Sequence, residues 1–270
     1  MGRGSGQPGG RSALINKKRK STSFDDLLST TDHRPWLLPH GPWVMTQTWE
    51  DLLFAHWPVP ARELAPFVPA PLELDLCDGV AWVGVVPFRM SGVRPRGGIA
   101  TPYLSAFPEI NVRTYVVHGG KPGVLFLSLD AGNPVAVELG RRWYHLPYFR
   151  ARMSCREESG RIEYNSRRTH PGAPRAEFRV RYSPTGPVAP ATPDSLAHWL
   201  TERYALYAPR PNASIYRADI HHRPWPLQPA EAEFEMNTMA ASHGVHLSEA
   251  APLLHFARRL EVLAWRPERM

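Results

Sequence analysis

Glu109, Asn111 and Arg113 stand two residues apart in the run LSAFPEINVRTYVV, and Tyr115 continues the spacing. On an extended strand, alternate residues share a face. A carboxylate, an amide, a guanidinium and a phenol therefore fall in one row, while Ile110, Val112, Thr114 and Val116 share the other face. A guanidinium holds an oxyanion through two parallel hydrogen bonds, and a carboxylate placed near it can accept or return a proton. Gathered in one place, these residue types could bind an anion and move a proton.

Within residues 103–130, which open on Tyr103, Phe107 and Pro108 form a turn and residues 109–117 form a strand. Residues 118–123 read as a turn, and residues 124–129 return as a second strand. With His118 opposite Gly123, Arg113 faces Ser128, Asn111 faces Asp130, and Tyr115 faces Phe126. A slip of one residue would set the polar row against Leu125, Leu127 and Leu129, so the pattern favours the first register. Asp130 then adds a second carboxylate to the ledge. On an open, solvated sheet such a row has no consequence. In a buried one, Glu109 or Asp130 could simply neutralise Arg113 with no ligand involved.

The elements around this hairpin follow from pattern and punctuation. Strands are expected at residues 44–56, 72–76 and 80–88, the last two joined through Asp78 and Gly79, a dipeptide suited to a tight hairpin turn. Pro60 opens a short helix to residue 68. Asn133 followed by Pro134 is a cap and first-turn pair, opening a helix to about residue 144 that Pro147 stops. Short arginine-rich strands are expected at residues 151–156, 161–165 and 177–182, with one solvated face. Thr192 and Pro193 repeat the cap signal. Leu196, Trp199, Leu200, Tyr204 and Tyr207 then make a helical stripe that ends by Pro209. Strands at residues 214–222, 231–238 and 253–265 complete a β-rich α+β fold dominated by antiparallel sheet.

Composition narrows the function classes. A chain of 270 residues with 43% hydrophobic content can bury a large core. No run has the apolar length of a membrane span or of a secretory signal core. Cys77 and Cys155 are too few for a disulfide framework, which points to a reducing, cytoplasmic setting. The net charge is +7, but Arg3, Arg11, Lys17, Lys18, Arg19 and Lys20 supply +6 of it. Residues 1–30 read as a disordered basic leader and residues 31–270 as a single domain, and residues 25–270 together carry only +1. Nucleic-acid binding would have to come from the leader. Lys121 is the only lysine beyond Lys20.

Metal and cofactor signals are absent. His221 and His222 are adjacent and point to opposite faces of a strand, and His243 and His246 flank a loop-forming Gly244. No phosphate-binding loop, dinucleotide fingerprint or nucleophile elbow occurs. No cofactor and no metal are expected.

The runs WEDLLFAHWPVP, WVGVVPFRMSGVRPRG, LSAFPEINVRTYV, SLAHWLTERYALY and LLHFARRLEVLAW together resemble the YqjF-like family of domains of unknown function. That family is similar to the acetoacetate-decarboxylase-like superfamily. The resemblance implies a closed β-barrel around a small pocket, with two main flanking helices. In the decarboxylase pattern a glycine and arginine lead a short helix that reaches, after a proline, two adjacent lysines, one of which forms a Schiff base. Here Gly140, Arg141 and Pro147 match, but Tyr148 and Phe149 occupy the lysine positions. Neither side chain can form an imine.

If the resemblance holds, the segment after Gly140 closes over the barrel mouth. Glu109, Arg113 and Tyr148 are then the candidate catalytic residues: a general base, an anion anchor and a proton donor. Tyr103, Asn111, Asp130, Arg141, Tyr144 and His145 are expected to line the ligand site. The expected partner is a small organic acid or carbonyl compound, with no membrane, and homo-oligomerisation stays open. Two functions fit: a non-decarboxylating ligand binder, or an acid-base enzyme that works without lysine.

Overall fold

Among the described residues, extended segments pair into one thirteen-stranded sheet with little helix. The computed structural model describes residues 1–2, 24–98, 105–210 and 214–270. Its strands are β1 (Met45–Val59), β2 (Glu73–Leu74), β3 (Ala81–Pro95), β4 (Phe107–His118), β5 (Lys121–Ala131), β6 (Tyr148–Glu158) and β7 (Arg161–Arg168). They continue as β8 (Glu177–Pro184), β9 (Ala205–Pro209), β10 (Ile215–His221), β11 (Gln228–Asn237), β12 (Leu253–Ala264) and β13 (Glu268–Arg269). The helices are short: α1 (Phe24–Ser29), α2 (Ala61–Leu64), α3 (Pro134–Leu139) and α4 (Leu196–Thr201).

Strand pairing runs β5, β4, β3, β1, β12, β10, β9 and returns to β5. The pairing of β5 with β9 is parallel, as is that with β6, so the sheet is mixed rather than wholly antiparallel. The arginine-rich meander of β6, β7, β8 and β11 carries surface ion pairs such as Arg181 with Glu163 and Arg179 with Glu235.

Three sequence expectations are corrected. The second helix stops at Thr201, because Glu202 leaves the helical region with ψ of 70° and the chain enters strand β9 at Ala205. Ser195, rather than Thr192, caps it by accepting from the His198 N–H. The leader does not extend unstructured to residue 30: α1 seats Leu27 against Leu263 and Trp265, so apolar burial anchors it. Residues 3–23 lie outside the described residues, and so does Tyr103.

The third correction is the register of the hairpin. His118 pairs with Lys121 across a two-residue turn whose Gly119 and Gly120 have φ of 55° and 74°. Glycine reaches that left-handed region without steric cost, and such a turn matches the strand twist. The tighter turn shifts every partner. Asn111 pairs with Leu129, Ile110 with Asp130, and Val112 with Ser128; a bulge between Val112 and Arg113 then sets Arg113 opposite Phe126. Asp130 therefore leaves the polar row.

Strand β4 is buried on both faces. Ile110 and Val112 enter a core with Leu53, Val83, Tyr164 and Phe178. Burying such a side chain contributes roughly 1.5–3 kcal/mol, which holds the opposite, polar face in place.

Candidate functional site

The polar face of β4 looks into a cavity of about 590 Å³. Glu109, Asn111 and Arg113 all line it and are nearly inaccessible to solvent. At about 3.3 Å per residue the row spans roughly 13 Å, so its carboxyl and guanidinium ends are well separated.

At one end the Tyr148 hydroxyl donates to Glu109 Oε2 at 2.9 Å. Desolvation pushes the Glu109 carboxyl up to about 8, so it is largely protonated at neutral pH. Burial, with Glu109 beside it, drives the Tyr148 phenol well above its ordinary range. The ring of Tyr148 packs on Gly140, where an added Cβ would come within 2.5 Å of it. Gly140 opens a wide π-type turn, Gly140–Tyr144, that continues α3, whose start is capped by the Asn133 side chain accepting from the Val135 and Ala136 N–H groups.

At the other end Arg113 lies opposite Gly84 on β3. A Cβ there would meet the His56 ring at 3.1 Å and Arg113 Cγ at 3.3 Å, so the glycine makes room for the guanidinium. Arg113 sits over the rings of Phe54 and Tyr115, and its Nη2 reaches the Leu200 carbonyl at 3.5 Å. No carboxylate among the described residues lies within ion-pair distance of it, and its Nε has no partner. Asn111 Oδ1, midway along the row, is also unpartnered.

A second guanidinium reaches the cavity from Arg203, just past α4. Its Nη1 donates to Asp75 at 2.6 Å and its Nε to the Trp199 carbonyl at 2.6 Å, while Nη2 is free of partners. Arg203, Trp49, Thr201 and Trp225 line the cavity without having been singled out in the sequence, and His222, weighed there only as a metal ligand, lines it too. Arg203 falls in the aromatic run read as a continuing helix, four residues after Trp199 and three after Leu200, so it shared the face of the stripe and was passed over as the one charged residue on it.

The remaining sequence candidates are placed differently. Tyr144 lines the cavity. Asp130 faces the other way and is gripped by Arg168 Nε and Nη2 at 2.8 and 2.7 Å. Arg141 lies outside and donates to the Tyr148 carbonyl at 2.6 Å. His145 caps the π-type turn in the left-handed region and packs against Tyr216. Lys121 is not at the cavity; it pairs with Asp219 and lies over Trp36, so it is an ion-paired, half-buried amine. Among the described residues no group of three or more His, Cys, Asp or Glu side chains could hold a metal ion. No helix among them is long and apolar enough to cross a membrane.

Residues 46–261 match a family described as uncharacterized conserved protein, DUF2071. The chain belongs to that family. It is 46% identical over 228 residues to the uncharacterized protein YqjF of Bacillus subtilis, covering 84% of this chain and 93% of that one. Among solved structures it is similar to the acetoacetate decarboxylase of Legionella pneumophila, with TM-score 0.57, 13% identity, and coverage of 89% and 93% of the two chains. It is also similar to the enduracididine biosynthesis enzyme MppR complexed with the condensation product of pyruvate and imidazole 4-carboxaldehyde, with TM-score 0.57, 14% identity, and coverage of 99% and 98%. At these identities the likeness shows a shared β-rich, acetoacetate-decarboxylase-like fold. The family itself is uncharacterized, so function rests on the cavity.

Proposed function

We propose that the chain binds a small organic acid or carbonyl compound in this cavity, and that it does so without forming an imine. The carrying observation is Arg113: a guanidinium buried to 9% exposure, with no carboxylate partner among the described residues, on the wall of an open volume. Burying an uncompensated charge costs several kcal/mol, and a guanidinium cannot shed its charge by deprotonation. An anion from outside is the partner that offsets that cost. Asn111 Oδ1 and the free Nη2 of Arg203 add unused hydrogen-bonding capacity on the same walls.

In this reading the cycle of paired strands acts as a barrel and α3 with its π-type turn covers one opening. Tyr148 and Phe149 stand at the lysine positions of the decarboxylase pattern, and no lysine lines the cavity among the described residues. A solved relative in this fold carries pyruvate, which supports a carboxylate-bearing ligand without assigning a reaction to this chain.

A second reading, a lysine-independent acid-base enzyme, is favoured by Glu109. A carboxyl brought to about 8 by burial can both donate and accept a proton near neutral pH.

Thermal shift against a panel of small acids, followed by product analysis of each hit with wild type and Glu109→Gln, separates the two. A ligand that stabilises both proteins and is recovered unchanged supports the binder. Conversion by wild type that Glu109→Gln loses supports the enzyme. Both readings end if no acid stabilises the protein, or if Arg113→Met keeps the full shift. A borohydride-reducible ketone adduct would overturn the absence of an imine.

A further inference from the structure

The rest of the cavity wall says what else the ligand carries. Away from the polar row the lining is aromatic and aliphatic, with Trp49, Phe88, Leu129, Leu146, Leu206 and Trp225 among it. A volume of about 590 Å³ lies within the ~300–1,000 Å³ range of sites for drug-sized ligands, and a short-chain keto acid would leave most of it unfilled.

The lining also continues outward. Val135, Leu139 and Trp143 are 47%, 39% and 68% exposed, yet all three line the cavity. They stand four residues apart on α3 and the π-type turn that extends it, so they form one apolar stripe from the solvent edge inward. Exposed large apolar side chains grouped in this way mark a binding surface.

The charge inside is countable. Arg203 is matched by Asp75, leaving Arg113 as the unmatched cation. The acid on the wall, Glu109, is occupied by the Tyr148 hydroxyl, and burial favours its neutral form, so this pair presents little charge to an apolar neighbour at neutral pH.

Resting on the proposed acid-binding function, we infer that the ligand is a monocarboxylate with a long apolar body. Its carboxylate sits at Arg113, with the free Nη2 of Arg203 on the same wall. Its hydrocarbon runs past Phe88, Trp49 and Trp225, and its far end leaves between Leu139 and Trp143. A fatty acid of medium chain length or an arylalkanoic acid has this form.

Titration calorimetry of the full chain with acetate, butyrate, hexanoate and octanoate tests this. Affinity is expected to rise about fourfold per added methylene, the fold-change that matches ~0.8 kcal/mol per buried CH₂. Suberate, with octanoate's length and a second carboxylate, should bind at least tenfold more weakly than octanoate. Exposed Leu139 and Trp143 can be changed without disturbing the core, so Leu139→Ser with Trp143→Ser should weaken octanoate about tenfold more than it weakens acetate. Arg113→Met should weaken every acid. Equal affinity along the series, or suberate matching octanoate, would overturn the apolar body and leave acid binding standing. Octanoate binding undiminished in Arg113→Met would reveal adsorption and overturn the inference. If no carboxylate binds at all, the proposed function falls with it.

Discussion

The hydroxyl of Tyr148 donates to Oε2 of Glu109 at 2.9 Å inside the cavity. This bond opposes the larger effect of burial, which favours the neutral carboxyl. The pair therefore makes a proton-holding group out of a residue type that is ordinarily charged.

Stability should register that proton. The Glu109 carboxyl goes from an ordinary 4.5 to about 8 in the folded chain, so between those values the folded state binds more protons than the unfolded one. The contribution is intact below pH 4.5 and is lost as the pH rises to about 8. Urea unfolding across this window should show wild type losing up to about 1.4 kcal/mol per pH unit relative to Glu109→Gln, whose amide does not titrate. Parallel curves for the two proteins would place Glu109 in contact with bulk water.

Arg113→Met should lose ligand-induced stabilisation while its unliganded thermal midpoint stays at or above that of wild type. The substitution removes a buried charge that has no carboxylate partner and keeps most of the side-chain volume. A large drop in the unliganded midpoint would mean that the guanidinium is held for structural reasons.

Asp130→Asn should do the reverse. Asp130 and Arg168 are paired with side chains 0% and 1% exposed, so removing the carboxylate strands a buried cation and costs about 3–5 kcal/mol. Under conditions where the variant is folded, its affinity for acids should match wild type within about twofold, because the pair faces away from the cavity.

Gly140→Ala should destabilise by about 1–3 kcal/mol, since its methyl would collide with the Tyr148 ring itself rather than with a mobile side-chain tip. Displacing that ring breaks its bond to Glu109. Because that bond opposes the effect of burial, its loss should keep the proton on Glu109 to higher pH, so a pH slope that persists above 8 in this variant, read by the same urea series, would tie the glycine to the proton-holding pair.

Much of the architecture is local and was therefore legible. Alternation marked β4 and its polar row, Asn133 and Pro134 marked the start of α3, and the absence of lysine at residues 148 and 149 needed no coordinates. The hairpin register was misread because the period-two pattern admits several turns, and the choice rested on matching polar residues across strands. The Gly119–Gly120 turn and the bulge before Arg113 set the pairing instead.

What the sequence by itself determined is which side chains share a face, because that depends only on backbone periodicity. Which of those side chains would be left without a partner was decided by the tertiary structure. Arg168 on β7 takes Asp130, and Asp75 takes Arg203 from the far end of α4. Each is a long-range meeting that no local pattern encodes. The cation of Arg113 and the proton of Glu109 are properties of an enclosed space, and a space exists only once distant strands have closed around it.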